Sequence, residues 1–297
     1  MKRCVKVLTG LALFTVFASL FLFPETCANF FLEGISLWAI TVLPSVFPFL
    51  FLMTTLSAFG ATDRFANALA PFFRKVFRVS GTGGGIFVLS ALSGYPVGSK
   101  LLSDHTGISE KEANKLAPLC SLPSPLFLVG CVGNIFADKN VGFLLWGINL
   151  LSVVIVGLLC RREKSGESPP LHAARGTLAE SMTGSVLSIL SVGAYLALFS
   201  VLSGLVTLLP FCPKHPLLRG MIRGAFEMTM GIATLASPTP IAFALTAFLV
   251  TFGGACVLLQ QATFLAGKVK FLPFLGKKFL QATVAFLLAL SIGSYYF

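Results

Sequence analysis

Charge is what this sequence has least of. Asp, Glu, Lys and Arg make up 11% of its 297 residues, where a soluble domain carries roughly 25%. Mean hydropathy is +0.89 and 56% of the residues are hydrophobic, so the chain is read as an integral membrane protein. Histidine is scarce, with three. The seven cysteines (Cys4, Cys27, Cys120, Cys131, Cys160, Cys212 and Cys256) are scattered with no C-x-x-C pair. That leaves no metal-ligand cluster and no disulfide framework; in apolar runs cysteine behaves as a small hydrophobe. No serine–histidine–acid set and no paired carboxylates are evident, so neither an enzyme nor a cofactor is expected. Alternating strands of roughly ten residues are missing, which argues against a β-barrel. Basic stripes interleaved with aromatics are missing too, so the net charge of +11 does not point to nucleic acid.

What is present is helix of membrane length. The runs Val5–Phe23, Ile35–Phe59, Val141–Cys160, Val186–Leu209 and Ile241–Leu259 approach or exceed the roughly 20 residues that span a bilayer. The excess of Lys and Arg then belongs to cytoplasmic loops. Met1–Phe23 starts with Lys2, Arg3 and Lys6, as a signal peptide would. Its length and the weak cleavage site Thr26-Cys27-Ala28 favour an uncleaved first helix with a cytoplasmic N-terminus. Glu25–Glu33 then lies outside. The chain returns inward to Arg64, Arg74, Lys75 and Arg78 among Phe65, Phe72, Phe73 and Phe77, which reads as a helix lying in the interface.

Three apolar segments, near 82–102, 114–136 and 141–160, separate that helix from the next basic loop at Arg161, Arg162, Lys164 and Arg175. Three full crossings would put this loop outside; one re-entrant hairpin puts it inside. Helix breakers sit where hairpins would turn, at Ser93-Gly94-Tyr95-Pro96-Val97-Gly98-Ser99-Lys100 and at Ser121-Leu122-Pro123-Ser124-Pro125. Unpaired backbone costs several kcal/mol in hydrocarbon, so such breaks persist only against protein or around a water-filled cavity. Which of the two is re-entrant stays open at this level.

The second half reads as a worn copy of the first. Gly231 lies 133 positions after Gly98, and the same offset carries Cys120-Ser121 to Gly253-Gly254 and Val141–Cys160 to Phe274–Gly293. The first copy begins by crossing inward and the second outward, so the repeats are inverted, as in many secondary transporters. The expected fold is an all-α, polytopic membrane helix bundle of two inverted repeats containing broken or re-entrant helices. Its parts are an N-terminal helix (1–33), a first repeat (34–160), a cytoplasmic linker (161–180) and a second repeat (181–297). Lys268, Lys270, Lys277 and Lys278 fall inside and the C-terminus outside.

The candidate substrate-binding residues cluster at the breaks. Gly94, Pro96, Gly98, Gly253 and Gly254 free backbone groups that bind ions or polar ligands, with Tyr95, Ser121, Ser124, Asn134 and Thr229 as polar neighbours. The competing reading of the glycines and prolines is kinking and tight helix packing. Glu227 is a carboxylate in an apolar segment, which costs roughly 2.5–3.5 kcal/mol at a membrane helix centre. It reads either as a ligand for a substrate, proton or sodium ion, or as the partner of Arg223 four residues earlier. Lys100 reads as a counter-charge for a carboxylate substrate, as a partner of Glu227, or as a lysine that snorkels to the headgroups. Ser109-Glu110-Lys111-Glu112 marks a helix start. Asp104-His105 reads as solvated loop. Gly81-Thr82-Gly83-Gly84-Gly85 lacks the Lys-Ser/Thr of a phosphate loop.

The Ser-Gly-Tyr-Pro-x-Gly-x-Lys string at Ser93–Lys100, Ser121–Phe127 and Val129–Asn134 resemble the sporulation integral membrane protein YlbJ family, which carries the nucleoside-recognition or gate domain. Leu43–Phe49 and Phe226–Gly231 are similar to it as well, and the resemblance runs from about Ile35 to the C-terminus. It implies a polytopic cell-membrane protein of a Firmicute, linked to spore formation, with a domain shared with nucleoside transporters and spore maturation proteins. The functional expectation is a transporter or binding protein for a small polar, nucleoside-like metabolite, with a coupling ion. The alternative is a structural or assembly protein that acts as a homo-oligomer or with other sporulation membrane proteins.

Overall fold

The computed structural model describes residues 17–105, 107–162 and 176–297. The expected first span, Val5–Phe23, lies mostly outside them. All regular structure among the described residues is helical. Five helices are long and apolar enough to cross a membrane, or six if one bent pair counts as a span. The chain is therefore a multi-pass, all-α membrane protein.

Helix α1 (Pro24–Leu37) runs through a π-turn at Trp38–Val42 into α2 (Leu43–Ala58). Proline at its first turn has no N–H to leave unpaired. Residues 17–22, before the bend at Phe23, are helical as well, and Glu25–Glu33, expected outside, is helical. The boundary drawn after residue 33 falls inside α1. Helix α3 (Ala61–Val76) is amphipathic: Phe73 and Phe77 beside it are buried, while Phe72, Arg74 and Lys75 are exposed. Its last turns meet α4 (Gly81–Ser93) at 95°, so α3 lies across one end of the bundle.

Hairpin A consists of α4 and α5 (Val97–Asp104), interrupted at Gly94–Pro96. Ser80 caps α4 by accepting the N–H of Gly83 at 3.0 Å. Broken span A is α6 (Glu110–Leu119), an unwound segment at 120–124, and α7 (Pro125–Ile135), which holds a second π-turn at Leu128–Val132. Ser109 caps α6 as its sequence implies. Helix α8 (Lys139–Leu159) closes this half. In the second half, α9 (Leu178–Leu205) starts at a Thr177/Glu180 capping box. Hairpin B follows as α10 (Pro216–Phe226) and α11 (Met228–Leu235), interrupted at Glu227. Broken span B is α12 (Pro240–Phe252) and α13 (Gly254–Phe264), interrupted at Gly253, and α14 (Phe271–Tyr296) closes the chain.

Side-chain contacts sort the helix ends. At one end, Lys115 Nζ donates to the carbonyls of Arg78 and Arg161 at 3.4 and 3.0 Å. Lys268 Nζ donates to the carbonyls of Ser103 and His105, and Lys270 pairs with Glu110 at 3.8 Å. This basic end collects the open side of hairpin A, the start of α6, the end of α8 and the α13–α14 turn. At the opposite end, Tyr296 donates to Asp138 at 2.6 Å and the rings of Phe243 and Phe297 lie 5.7 Å apart. The start of α12, and with it the open side of hairpin B, belongs there. Hairpin A is thus the re-entrant element of the first half, and α6–α7 is the crossing.

Candidate functional site

The two hairpins reach toward each other from opposite ends. Helix α4 has 13 residues, about 20 Å at 1.5 Å per residue, and α10 has 11, about 16 Å. Against a hydrocarbon core of roughly 30 Å, their tips meet near its middle. The contact is direct: the Tyr95 hydroxyl donates to Met228 Sδ at 2.9 Å, a residue 133 positions away, and lies 3.3 Å from the carbonyl of Val250. Ser99 Oγ donates to Gln261 Oε1 at 3.2 Å, tying α5 to α13.

Around these tips is a cavity of about 40 Å³. At about 10–15 Å³ per water molecule, it has room for on the order of three. Tyr95, Ser124, Glu227, Thr229 and Gln260 supply its polar lining; Val42, Val46, Phe127, Val192 and Leu196 are among its apolar walls. No basic side chain lines it among the described residues. Val42 belongs to the first π-turn and Phe127 precedes the second. Such turns recur at functional sites because they re-aim side chains within a helix.

Glu227 owes its position to the break in hairpin B. Its backbone is extended between α10 and α11, and its carboxylate caps α11 by accepting the N–H of Met230 at 2.8 Å. The N–H and hydroxyl of Thr229 also bond to it. The side chain is 1% exposed. The Arg223 guanidinium bonds instead to Thr234 Oγ1 at 3.2 Å. Neither pairing read from the sequence, Glu227 with Arg223 or with Lys100, forms an ion pair; Lys100 pairs with Asp104 instead.

The backbone devices pack the breaks together without lining the cavity. A Cβ on Gly98 would stand 2.2 Å from the carbonyl of Cys120, so hairpin A can seat on broken span A only with glycine there. Gly94 lies against Ser124, and Gly254 against the carbonyl of Gly224. Gly253 ends α12 at φ +92°, in the left-handed region that a side chain disfavours. Pro96 heads α5.

Unwinding at 120–124 frees carbonyls that other elements take up. Leu122 accepts the N–H of Tyr95 at 2.7 Å, Pro118 accepts Gln281 Nε2 at 3.0 Å, and Ser121 accepts Lys278 Nζ at 2.7 Å. Lys278, expected on the cytoplasmic side, is instead fully enclosed within α14. The reason is the length of α14, which starts at Phe271 and so draws Lys278 into the bundle. Asn134 departs from expectation too: it is exposed in the last turn of α7, remote from the hairpin tips. Gln260, Gln261 and Gln281 are buried polar residues that the sequence reading did not single out, although each stands in an otherwise apolar helix.

Lys100 serves a second feature. Paired with Asp104 at 3.9 Å, it lines a cleft of about 330 Å³ with Thr54, His105, Glu180, Ser181 and Gly184. The cleft lies on the same α2–α5–α9 seam as the cavity. Thr54 is eight residues from Val46 and Gly184 eight from Val192, each about 12 Å along a helix. Thr54 and Ser185 are hydrogen-bonded at 2.9 Å, closing the seam between the two spaces.

Broken helices around a small, mostly apolar cavity with a few buried polar groups make this a polytopic helical membrane protein. The nucleoside-recognition (gate) family model matches residues 39–137, the stretch from the first π-turn through hairpin A and broken span A. The chain is 31% identical to the sporulation integral membrane protein YlbJ of Bacillus subtilis (strain 168), over 85% of this chain and 74% of that protein. It belongs to the family of that sporulation integral membrane protein. No solved structure matches it.

Proposed function

We propose that this sporulation membrane protein is a transporter, or a membrane binding protein, for a small polar molecule held between hairpins A and B. The observation that carries this reading is the contact of Tyr95 with Met228 beside a closed cavity holding Glu227. The breaks at Gly94 and Glu227 are 133 residues apart, as are those at Cys120 and Gly253, and the hairpins open on opposite ends. This supports two inverted repeats. With the basic end cytoplasmic, the cleft at Lys100 is an inner vestibule, the Thr54–Ser185 contact its neck, and the C-terminus lies outside. A nucleoside or another neutral or cationic metabolite suits a lining of one carboxylate, hydroxyls and an amide; an anion does not. A scaffold that moves nothing predicts a fully packed midplane, and the small cavity beside the buried Glu227, Thr229 and Gln260 speaks against it.

The test is thermal stabilisation of the purified protein against nucleosides, nucleobases, amino acids and dicarboxylates. A ligand at a hundred times its Kd adds about 2.7 kcal/mol. A neutral or cationic compound should raise the melting midpoint in the wild type and fail to do so in Glu227→Gln. A panel that leaves the folded wild type unmoved would sink the reading.

A further inference from the structure

Lys278 is a lysine buried in a membrane-spanning helix with no carboxylate bonded to it. Lysine at such depth is costly, and by default marks an ion or substrate pathway. The ionisable groups on the elements packed against it bond elsewhere or stand at helix ends. Of those on α6, Glu110 pairs with Lys270, the Glu112 carboxylate accepts the N–H of Ser80, and Lys115 bonds the carbonyls of Arg78 and Arg161. Lys111 lies in the first turn of α6, and Cys120 ends that helix. Helix α12 carries no ionisable side chain, and α8 carries Lys139 only at its far end. On α14 itself, Lys277 reaches the carbonyl of Asn114.

What does face Lys278 is oxygen. Its Nζ sits 2.7 Å from the carbonyl of Ser121 in the unwound segment. Two buried oxygens on the same two segments have no hydrogen-bond partner: the hydroxyl of Ser121 itself, and Oε1 of Gln281, one turn further along α14, whose Nε2 bonds the carbonyl of Pro118. A carbonyl freed by a broken helix, a hydroxyl and an amide oxygen are hard-cation ligands. Broken transporter helices hold sodium with such freed carbonyls, and here an ammonium already occupies the carbonyl.

We propose that Lys278 is a tethered cation standing where a bound coupling ion would sit on broken span A, so that this protein works without sodium. The inference deepens the transporter reading by assigning its ion requirement, yet its test needs no substrate. Melting midpoints of the purified protein are compared in sodium chloride and choline chloride at equal ionic strength and pH. The wild type should show no sodium-specific shift. Lys278→Ala should gain a saturable upward shift with sodium, which enters the vacated oxygens. If Lys278→Ala cannot be purified in choline, its recovery in sodium is the same result in another form. A saturable sodium shift in the wild type overturns the proposal. So does a folded Lys278→Ala that is blind to sodium, or a variant lost in both salts while Lys278→Gln folds and also ignores sodium. None of these outcomes bears on the metabolite panel, so the two readings fail separately.

Discussion

Glu227 does two jobs with one side chain: it caps α11 and presents a carboxylate to the cavity. Glutamine keeps an oxygen that can accept from Met230, so Glu227→Gln should melt within about 1 kcal/mol of the wild type while losing ligand response. Tyr95→Phe removes the hydroxyl that joins the hairpin tips and should lower stability by about 1 kcal/mol, read from the shift in melting midpoint. Gly98→Ala must displace either the Cys120 carbonyl or Ser90. It should cost about 1–3 kcal/mol or prevent folding, read as lost monodisperse yield. These three residues were legible in the sequence because polar groups and helix breakers are expensive in hydrocarbon and rarely stand there without cause. Lys278 was not, because beside Lys268, Lys270 and Lys277 it reads as one more cytoplasmic positive charge. Glu227's lack of an ion pair was equally out of reach, since i,i+4 spacing predicts proximity only if the helix continues, and it stops at Phe226.

At the scale of elements, the breaks at Gly94–Pro96, 120–124, Glu227 and Gly253 fell where glycine, proline and the buried acid marked them. Glu25–Glu33 is helical, and the proline that starts α1 leaves Glu25 in the first turn, where the dipole favours an acid. The π-turns at Trp38–Val42 and Leu128–Val132 left no sequence mark, since one inserted residue does not disturb an unbroken apolar run. The outer ends of α8 and α14 are joined by Tyr296 and Asp138. The Tyr296 hydroxyl, and then the N–H of Asn140, hold the Asp138 carboxyl below its ordinary value of 3.8. A depressed acid stabilises the fold above its unfolded value, and that contribution fades as pH falls through the folded value. The gap in melting midpoint between wild type and Tyr296→Phe should therefore be present at neutral pH and close on acidification below about 4. A gap that persists in acid would show that the link is not ionic.

For the whole molecule, the positive-inside argument and the helix breaks together anticipated one re-entrant hairpin in the first half. Contacts between the ends of the chain identify it as α4–α5. No pattern in the sequence foretold the cleft at Lys100 or the neck at Thr54 and Ser185, because both arise where α2, α5 and α9 converge from distant parts of the chain. The proposed inverted arrangement predicts that a tag in residues 163–175 is protected in intact cells while a C-terminal tag is reached from outside. The reverse pattern would turn the molecule over, and both tags on one side would remove the inversion. The claim that matters most is that the hairpin tips enclose a transported molecule. Its most direct test is uptake of the stabilising compound into proteoliposomes holding either wild type or Glu227→Gln. The account predicts saturable uptake by the wild type and none above empty vesicles for the variant. Binding without uptake by folded, correctly inserted wild type would contradict transport and leave a receptor in its place.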